Sequence, residues 1–241
     1  VTEPQVQRLS QLWFEALAGI CAYVRNGGGG LTPSDIAPAQ LSQLQIDELH
    51  EQHNIVDVLP LTPIQQGLLF HTTFARAAGV LEDEAAGVDF YAVQLDITVT
   101  GLVDQLRLRD AVHSVVRRHP NLAARFCTQY GDPVQVILAD PVIAWRYLDL
   151  RGDDLTPDEE IQRLCAAERA AVCDLADRPT LRAALIRTQG NKHRFVLTFH
   201  HVVIDGWSLP ILLQEIFASY FGHRLPAPSS YRNFVSWLAE Q

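Results

Sequence analysis

The chain has 241 residues, 48% of them hydrophobic and 20% charged, with a formal net charge of −9. This acidic balance opposes a nucleic-acid surface, no apolar run approaches a membrane span of about 18 residues, and no charged-then-apolar signal peptide opens the chain. Four scattered cysteines (Cys21, Cys127, Cys165, Cys173) make no disulfide framework and no zinc-ligand spacing, so a reducing cytoplasm and no bound metal are expected.

Residues 1–25 read as an amphipathic helix with Leu9, Leu12, Trp13, Leu17, Ile20 and Cys21 on one face, and Trp13 and Phe14 imply a surface that buries them. The tetraglycine 27–30 stops that helix and forms a joint. Thr32-Pro33-Ser34-Asp35 makes a turn and 42–50 a short helix. Pro63 suits the first turn of a helix over 63–75. A strand is predicted over 88–99 through Phe90, Ala92, Leu95, Ile97 and Val99, its alternation slipping near Val93. Leu106, Leu108, Ala111, Val112, Val115 and Val116 form one face of a helix over 106–118. Residues 122–128 and 134–138 read as a hairpin around Tyr130-Gly131-Asp132, and 143–148 as a short strand.

A helix over 157–175 turns Ile161, Leu164, Cys165, Val172 and Leu175 inward, with Glu168 interrupting the stripe. A second hairpin joins 181–188 to 193–200 around Gly190-Asn191. A helix follows to Tyr220, and 222–230 is a loop rich in proline and serine. The acids Glu82-Asp83-Glu84, Asp153-Asp154 and Asp158-Glu159-Glu160 fall in expected loops. Hairpins interleaved with helices argue for an α/β sandwich, a mixed or largely antiparallel sheet with helices packed on it.

The chemistry concentrates in His200-His201-Val202-Val203-Ile204-Asp205-Gly206, where a buried strand ends, turns and enters a helix. Adjacent residues on a strand face opposite sides, so His200 and His201 cannot share one task. An imidazole titrating near pH ~6.5 can act as a base at neutral pH. Asp205 can fix the loop by pairing with a distant cation, and Gly206 can supply a positive φ or a close backbone approach. Each histidine taken alone also fits a satisfied core residue at a strand end.

The whole string resembles the HHxxxDG signature of condensation domains in nonribosomal peptide synthetases, a branch of the chloramphenicol-acetyltransferase-like acyltransferases. Three further stretches match that family in order: Leu61-Thr62-Pro63-Ile64-Gln65-Gln66-Gly67-Leu68-Leu69-Phe70-His71, Arg118-His119-Pro120-Asn121-Leu122 and Tyr231-Arg232-Asn233-Phe234-Val235-Ser236-Trp237. The resemblance runs from about residue 55 to the end. Ala123-Ala124 stand where the family has arginine and threonine, which leaves Arg118 as the candidate cation for Asp205. Motifs of the family's second half are absent.

The resemblance implies a two-layer sandwich that is half of a V-shaped pseudo-dimeric domain. Residues 55–241 would be its amino-terminal subdomain, and 1–54 a linker with the tail of a preceding domain, of the kind that follows an epimerization domain. The implied reaction joins a carrier-bound acyl or peptidyl thioester to the amine of a downstream carrier-bound amino acid. His201 would act as base or as positioning group, with His200, Asp205, Gly206 and Arg118 shaping its loop. No cofactor would be bound by the chain itself, because the substrates ride on phosphopantetheine arms. Expected partners are the upstream and downstream carrier proteins, the carboxy-terminal half and neighbouring synthetase domains. An epimerization domain, a stand-alone HHxxxDG acyltransferase and a non-catalytic carrier-docking half-domain are the other readings.

Overall fold

The computed structural model describes residues 2–26, 28–77, 91–151 and 157–241. In chain order the elements are α1 (Glu3–Arg25), α2 (Gln43–Gln52), β1 (Ile55–Pro60), α3 (Pro63–Ala77), β2 (Ala92–Thr100), α4 (Gln105–Arg118) and β3 (Arg125–Cys127). There follow β4 (Val134–Leu138), β5 (Ala144–Asp149), α5 (Pro157–Val172), β6 (Leu181–Gln189), β7 (Lys192–His200), α6 (Ser208–Tyr220) and α7 (Tyr231–Ala239). The expected start of β2 at 88–90 and the acidic runs 82–84 and 153–154 lie outside the described residues. The third acidic run is no loop: Asp158, Glu159 and Glu160 occupy the first turn of α5, where carboxylates meet the positive end of the helix dipole.

The main sheet has the order β2-β7-β6-β5, antiparallel except for the β5–β6 pair. Period-two alternation divides its two faces. Leu181, Ala183 and Leu185 of β6 and Phe195, Leu197 and Phe199 of β7 pack against Leu108, Val112, Val115 and Val116 of α4 and Leu212 and Ile216 of α6. The residues between them, Ala184, Ile186 and Val196, pack against Ile161, Leu164 and Cys165 of α5. Each fully buried large apolar side chain contributes about 1.5–3 kcal/mol, so both faces are strongly specified. Leu106, placed on the inner face of α4 by spacing, is exposed instead.

Glu168, which broke the apolar stripe of α5, is buried and paired with Arg182 of β6 and Arg146 of β5. The interruption is an ion pair fastening helix to sheet. Nearby, the Gln94 amide of β2 donates to Thr198 Oγ1 (2.8 Å) and to the Cys165 carbonyl (3.1 Å), and Arg169 donates to Gln94 Oε1 (2.8 Å).

The sandwich is not built on one sheet alone. A second, antiparallel sheet of order β1-β4-β3 stands beside the first. Residues ahead of the matched region belong to its core: Ile36, Leu41, Ile46 and Leu49 pack with Ile55, Val58, Val134 and Val136. Ser42 starts α2 with a capping box, its hydroxyl accepting from Gln45 N. In contrast, α1 forms as expected but buries none of its residues; Trp13 and Phe14 are both exposed.

Candidate active site

Strand parity places the two histidines. Phe195, Leu197 and Phe199 face α4 and α6, and His201, two residues beyond Phe199, sets its ring edge-on to that phenyl at 6.1 Å. His201 is partly buried and lines an open cleft of about 620 Å³. His200 faces the other way and is fully buried, its ring against Tyr91. The backbone holds the turn, with His200 N donating to Thr180 O (3.0 Å) and His201 N to Tyr91 O (2.8 Å).

Each imidazole is held in one tautomer by its neighbour. His201 Nδ1 lies 3.0 Å from the Ile204 carbonyl oxygen. A carbonyl only accepts, so Nδ1 carries the hydrogen and Nε2 is left as the basic nitrogen. His200 Nδ1 accepts from Val202 N–H at 3.0 Å, so its hydrogen sits on Nε2. One ring is equipped to take up a proton in the cleft, and the other braces the turn behind it.

Asp205 and Arg118 do not meet. The Asp205 carboxylate accepts from Ser208 N (2.7 Å) in the first turn of α6, and hydrogen bonding from the Ser208 hydroxyl, then from this amide, holds its pKa below the usual carboxylate range. Arg118 instead donates through Nε to Glu215 Oε2 (3.0 Å) and also binds the Pro226 carbonyl. His119 Nε2 lies 2.8 Å from the same Glu215 oxygen. The reason is geometric: Asp205 is exposed just ahead of α6, whereas Glu215 lies about two turns along it, on the face that meets the end of α4. Gly206 also departs from expectation. Its φ is not in the left-handed region, and a Cβ there would meet nothing within 4 Å, so neither a positive φ nor a close backbone approach calls for glycine at this position.

A polar knot joins the other stretches to the histidine loop. The Gln65 amide of α3 donates to the Val202 carbonyl (2.9 Å) and to Tyr231 Oη (3.2 Å), while its Oε1 accepts from Thr62 N (2.9 Å) and from Gln135 Nε2 (3.3 Å). Gln135 of β4 also donates to Tyr231 Oη (3.3 Å) and to Pro60 O (2.8 Å). Tyr231 is thereby withdrawn from water, and burial pushes its phenol pKa up. Asn121 lies on the cleft wall with His201 and Tyr231. Four sequence stretches that lie up to 170 residues apart therefore converge on one cleft.

The family model described as condensation domain matches residues 55–241. The chain belongs to the condensation-domain family. Among curated relatives it is 33% identical to one of the linear gramicidin synthase proteins of Brevibacillus parabrevis, over 99% of this chain and 3% of that protein. It is also 33% identical to bacitracin synthase 3 of Bacillus licheniformis, over 76% of this chain and 3% of the relative. The chain thus spans a small fraction of these relatives.

Among solved structures, the first condensation domain of the calcium-dependent antibiotic synthetase, in complex with a substrate analogue, superposes with a TM-score of 0.58 at 23% identity. That match covers 75% of this chain and 42% of the other. The epimerization domain of the third module of tyrocidine synthetase B gives 0.61 at 21% identity, covering 74% and 40%. These likenesses carry the fold, the expected α/β sandwich of the condensation domains. Within it, Gln65, Gln135 and Tyr231 are the residues that sequence reasoning passed over. Gln65 and Tyr231 stood inside quoted motifs, but Gln135 carried no signal beyond being a polar residue in an apolar strand.

Proposed function

We propose that this condensation-domain chain contributes the histidine side of a site forming an amide bond within a nonribosomal peptide synthetase. An upstream acyl or peptidyl thioester on one carrier protein is attacked by the amine of an amino acid on a downstream carrier protein. The carrying observation is His201: its Nδ1 is spent on Ile204 O, so Nε2 is the basic nitrogen of a ring lining the cleft.

The thioester is already activated, so aligning two tethered reactants supplies much of the acceleration, roughly 7–11 kcal/mol in well-oriented systems. What remains is to hold the amine with its lone pair toward the carbonyl and to receive a proton as the C–N bond forms and the C–S bond breaks. His201 performs that task as base or as hydrogen-bond partner of the amine, while His200, Asp205 and Gly206 shape its loop. Arg118 supports from a distance by fixing α6. The chain itself binds no cofactor in this reading; phosphopantetheine arrives with the carrier proteins.

Residues 55–241 are read as the amino-terminal subdomain and 1–54 as the linker and tail of a preceding domain. The carboxy-terminal half would cover the cleft, whose surroundings expose Ile64, Phe234 and Trp237. The setting is cytoplasmic in this reading; among the described residues no helix is long and apolar enough to cross a membrane.

The test uses the intact parent domain with loaded carrier proteins. His201→Ala should lower condensation by about 10²–10⁴-fold, the range of general acid–base assistance, with carrier binding retained. Near-normal amide formation would remove His201 from the chemistry. Inversion of a carrier-bound residue without any acceptor amine would favour the epimerization reading instead.

A further inference from the structure

Beside the His201 cleft lies a smaller cavity of about 180 Å³ between α6 and the turn Pro120–Ala123. It shares Asn121, Val203, Ile204 and Ser208 with the cleft, so the two are contiguous. Its volume is well below the roughly 300–1,000 Å³ of a site for a whole small molecule, and equals about six waters at ~30 Å³ each. A carrier arm does not fit such a space. A side chain does.

The lining has two characters. Leu122, Val203, Ile204 and Leu212 make apolar walls, and His119, Asn121, Ser208 and Glu215 bring polar side chains; of these, His119 is engaged with Glu215 and the Ser208 hydroxyl with Asp205. Among the described residues the Asn121 amide makes no side-chain hydrogen bond. Glu215 receives both Arg118 and His119 on Oε2, and its Oε1 accepts nothing from them. The cavity therefore presents an amide able to donate and accept, and a carboxylate oxygen able to accept. Charged occupants fit poorly. A carboxylate would face Glu215, and the charge of Glu215 is already balanced by Arg118 at 3.0 Å, so an ammonium would be left without compensation.

We infer that this cavity is a side-chain specificity pocket for one of the two residues joined at His201. It takes a residue with an apolar stem and a neutral hydrogen-bonding tip, a hydroxyl or primary amide, gripped by Asn121 and Glu215. The inference rests on the reading of the cleft as a condensation site. It adds the substrate class, and it leaves donor and acceptor as the two possible sources of that side chain.

The experiment varies the donor residue and the acceptor residue separately in the intact parent domain, using carrier-bound tyrosine, phenylalanine, glutamine and leucine. In one of the two arms, kcat/KM for tyrosine over phenylalanine and for glutamine over leucine should be about two- to ten-fold, the worth of one net hydrogen bond. Asn121→Leu should erase that ratio. Ile211→Trp, at an exposed wall position, should slow all four relative to carrier-bound glycine.

If condensation proceeds but Asn121→Leu leaves the ratios unchanged in both arms, the pocket assignment is overturned and the condensation reading stands. If the parent shows no condensation, that reading fails, and the pocket is judged by isotope-labelled titration of the 241-residue chain. N-acetyl-tyrosinamide should then shift the Asn121 and Glu215 signals more than N-acetyl-phenylalaninamide does. Equal or absent shifts would overturn the pocket as well.

Discussion

Glu215 and Asp205 are both carboxylates of the histidine region, and their surroundings set different values on them. The side chains of Arg118 and Glu215 keep only 16% and 14% exposure. Glu215→Ala should therefore cost about 3 kcal/mol, the lower end for stranding one partner of a buried pair. Asp205 is exposed and serves as a cap to α6. Asp205→Ala should cost about 0.5–2 kcal/mol, as other lost helix caps do. Thermal melts of the two variants check this order, and equal small shifts would show that the Arg118–His119–Glu215 cluster holds nothing. The lowered pKa of Asp205 works in the same direction at the residue scale. Its capping stability is present above about pH 4, the unfolded value, and is lost as pH falls through the lower folded value.

At the scale of elements, the helix–sheet packing carries a pH response of the opposite chemical type. His113 of α4 has its pKa lowered by burial, then by Arg109 and Arg117 beside it, against which Asp110 and the Ile143 carbonyl act weakly. His193 of β7 is lowered by burial, then by Arg187 of β6, with Arg151 adding to the shift and Asp149 of β5 opposing it. Both histidines are less basic folded than unfolded, so the unfolded chain binds more protons as pH drops through about 6.5. Stability should therefore be full near pH ~7.5 and fall by pH ~5.5, before the carboxylates titrate. Among the described residues Asp149 titrates far lower still, since the Arg151 hydrogen bond holds it at about 2. Melting the double variant His113→Leu, His193→Leu at both pH values should show a flatter response; an unchanged slope would place the proton uptake elsewhere.

For the molecule as a whole, the leading 54 residues divide into a part that stands apart and a part that is core. Because α1 buries nothing, deleting residues 1–26 should leave the melting temperature within about 2 °C. Deleting 1–54 removes Ile36, Ile46 and Leu49 from the small sheet, all fully buried. Losses of about 2–5 kcal/mol per large buried side chain should then unfold β1, β3 and β4 or the whole chain. Circular dichroism melts of the two truncations distinguish these outcomes. A stable second truncation would make residues 31–54 a true linker; a large loss from the first would mean that α1 packs in solution.

Periodicity and local turn chemistry determined much of this protein in the sequence itself. The two hairpins, α4, α5 and α6, and the opposed facing of His200 and His201 follow from spacing, because burial on one face imposes a period that neighbours in the chain must obey. Some elements left too little pattern to read. In β1 Val58 and Leu59 are both buried, because one packs into the core of the small sheet and the other into a separate cluster with Leu69 of α3 and Val235 of α7, so no alternation shows, and α7 buries only Val235. Partner choice was a matter for the tertiary structure alone. Arg118 meets Glu215 rather than Asp205, and Gln65 meets Val202, Tyr231 and Gln135, across 70 to 166 residues of chain. Charge and hydrogen bonding have no period along a sequence, so which groups satisfy one another is decided only when the two sheets and α3, α4, α6 and α7 are packed around the cleft.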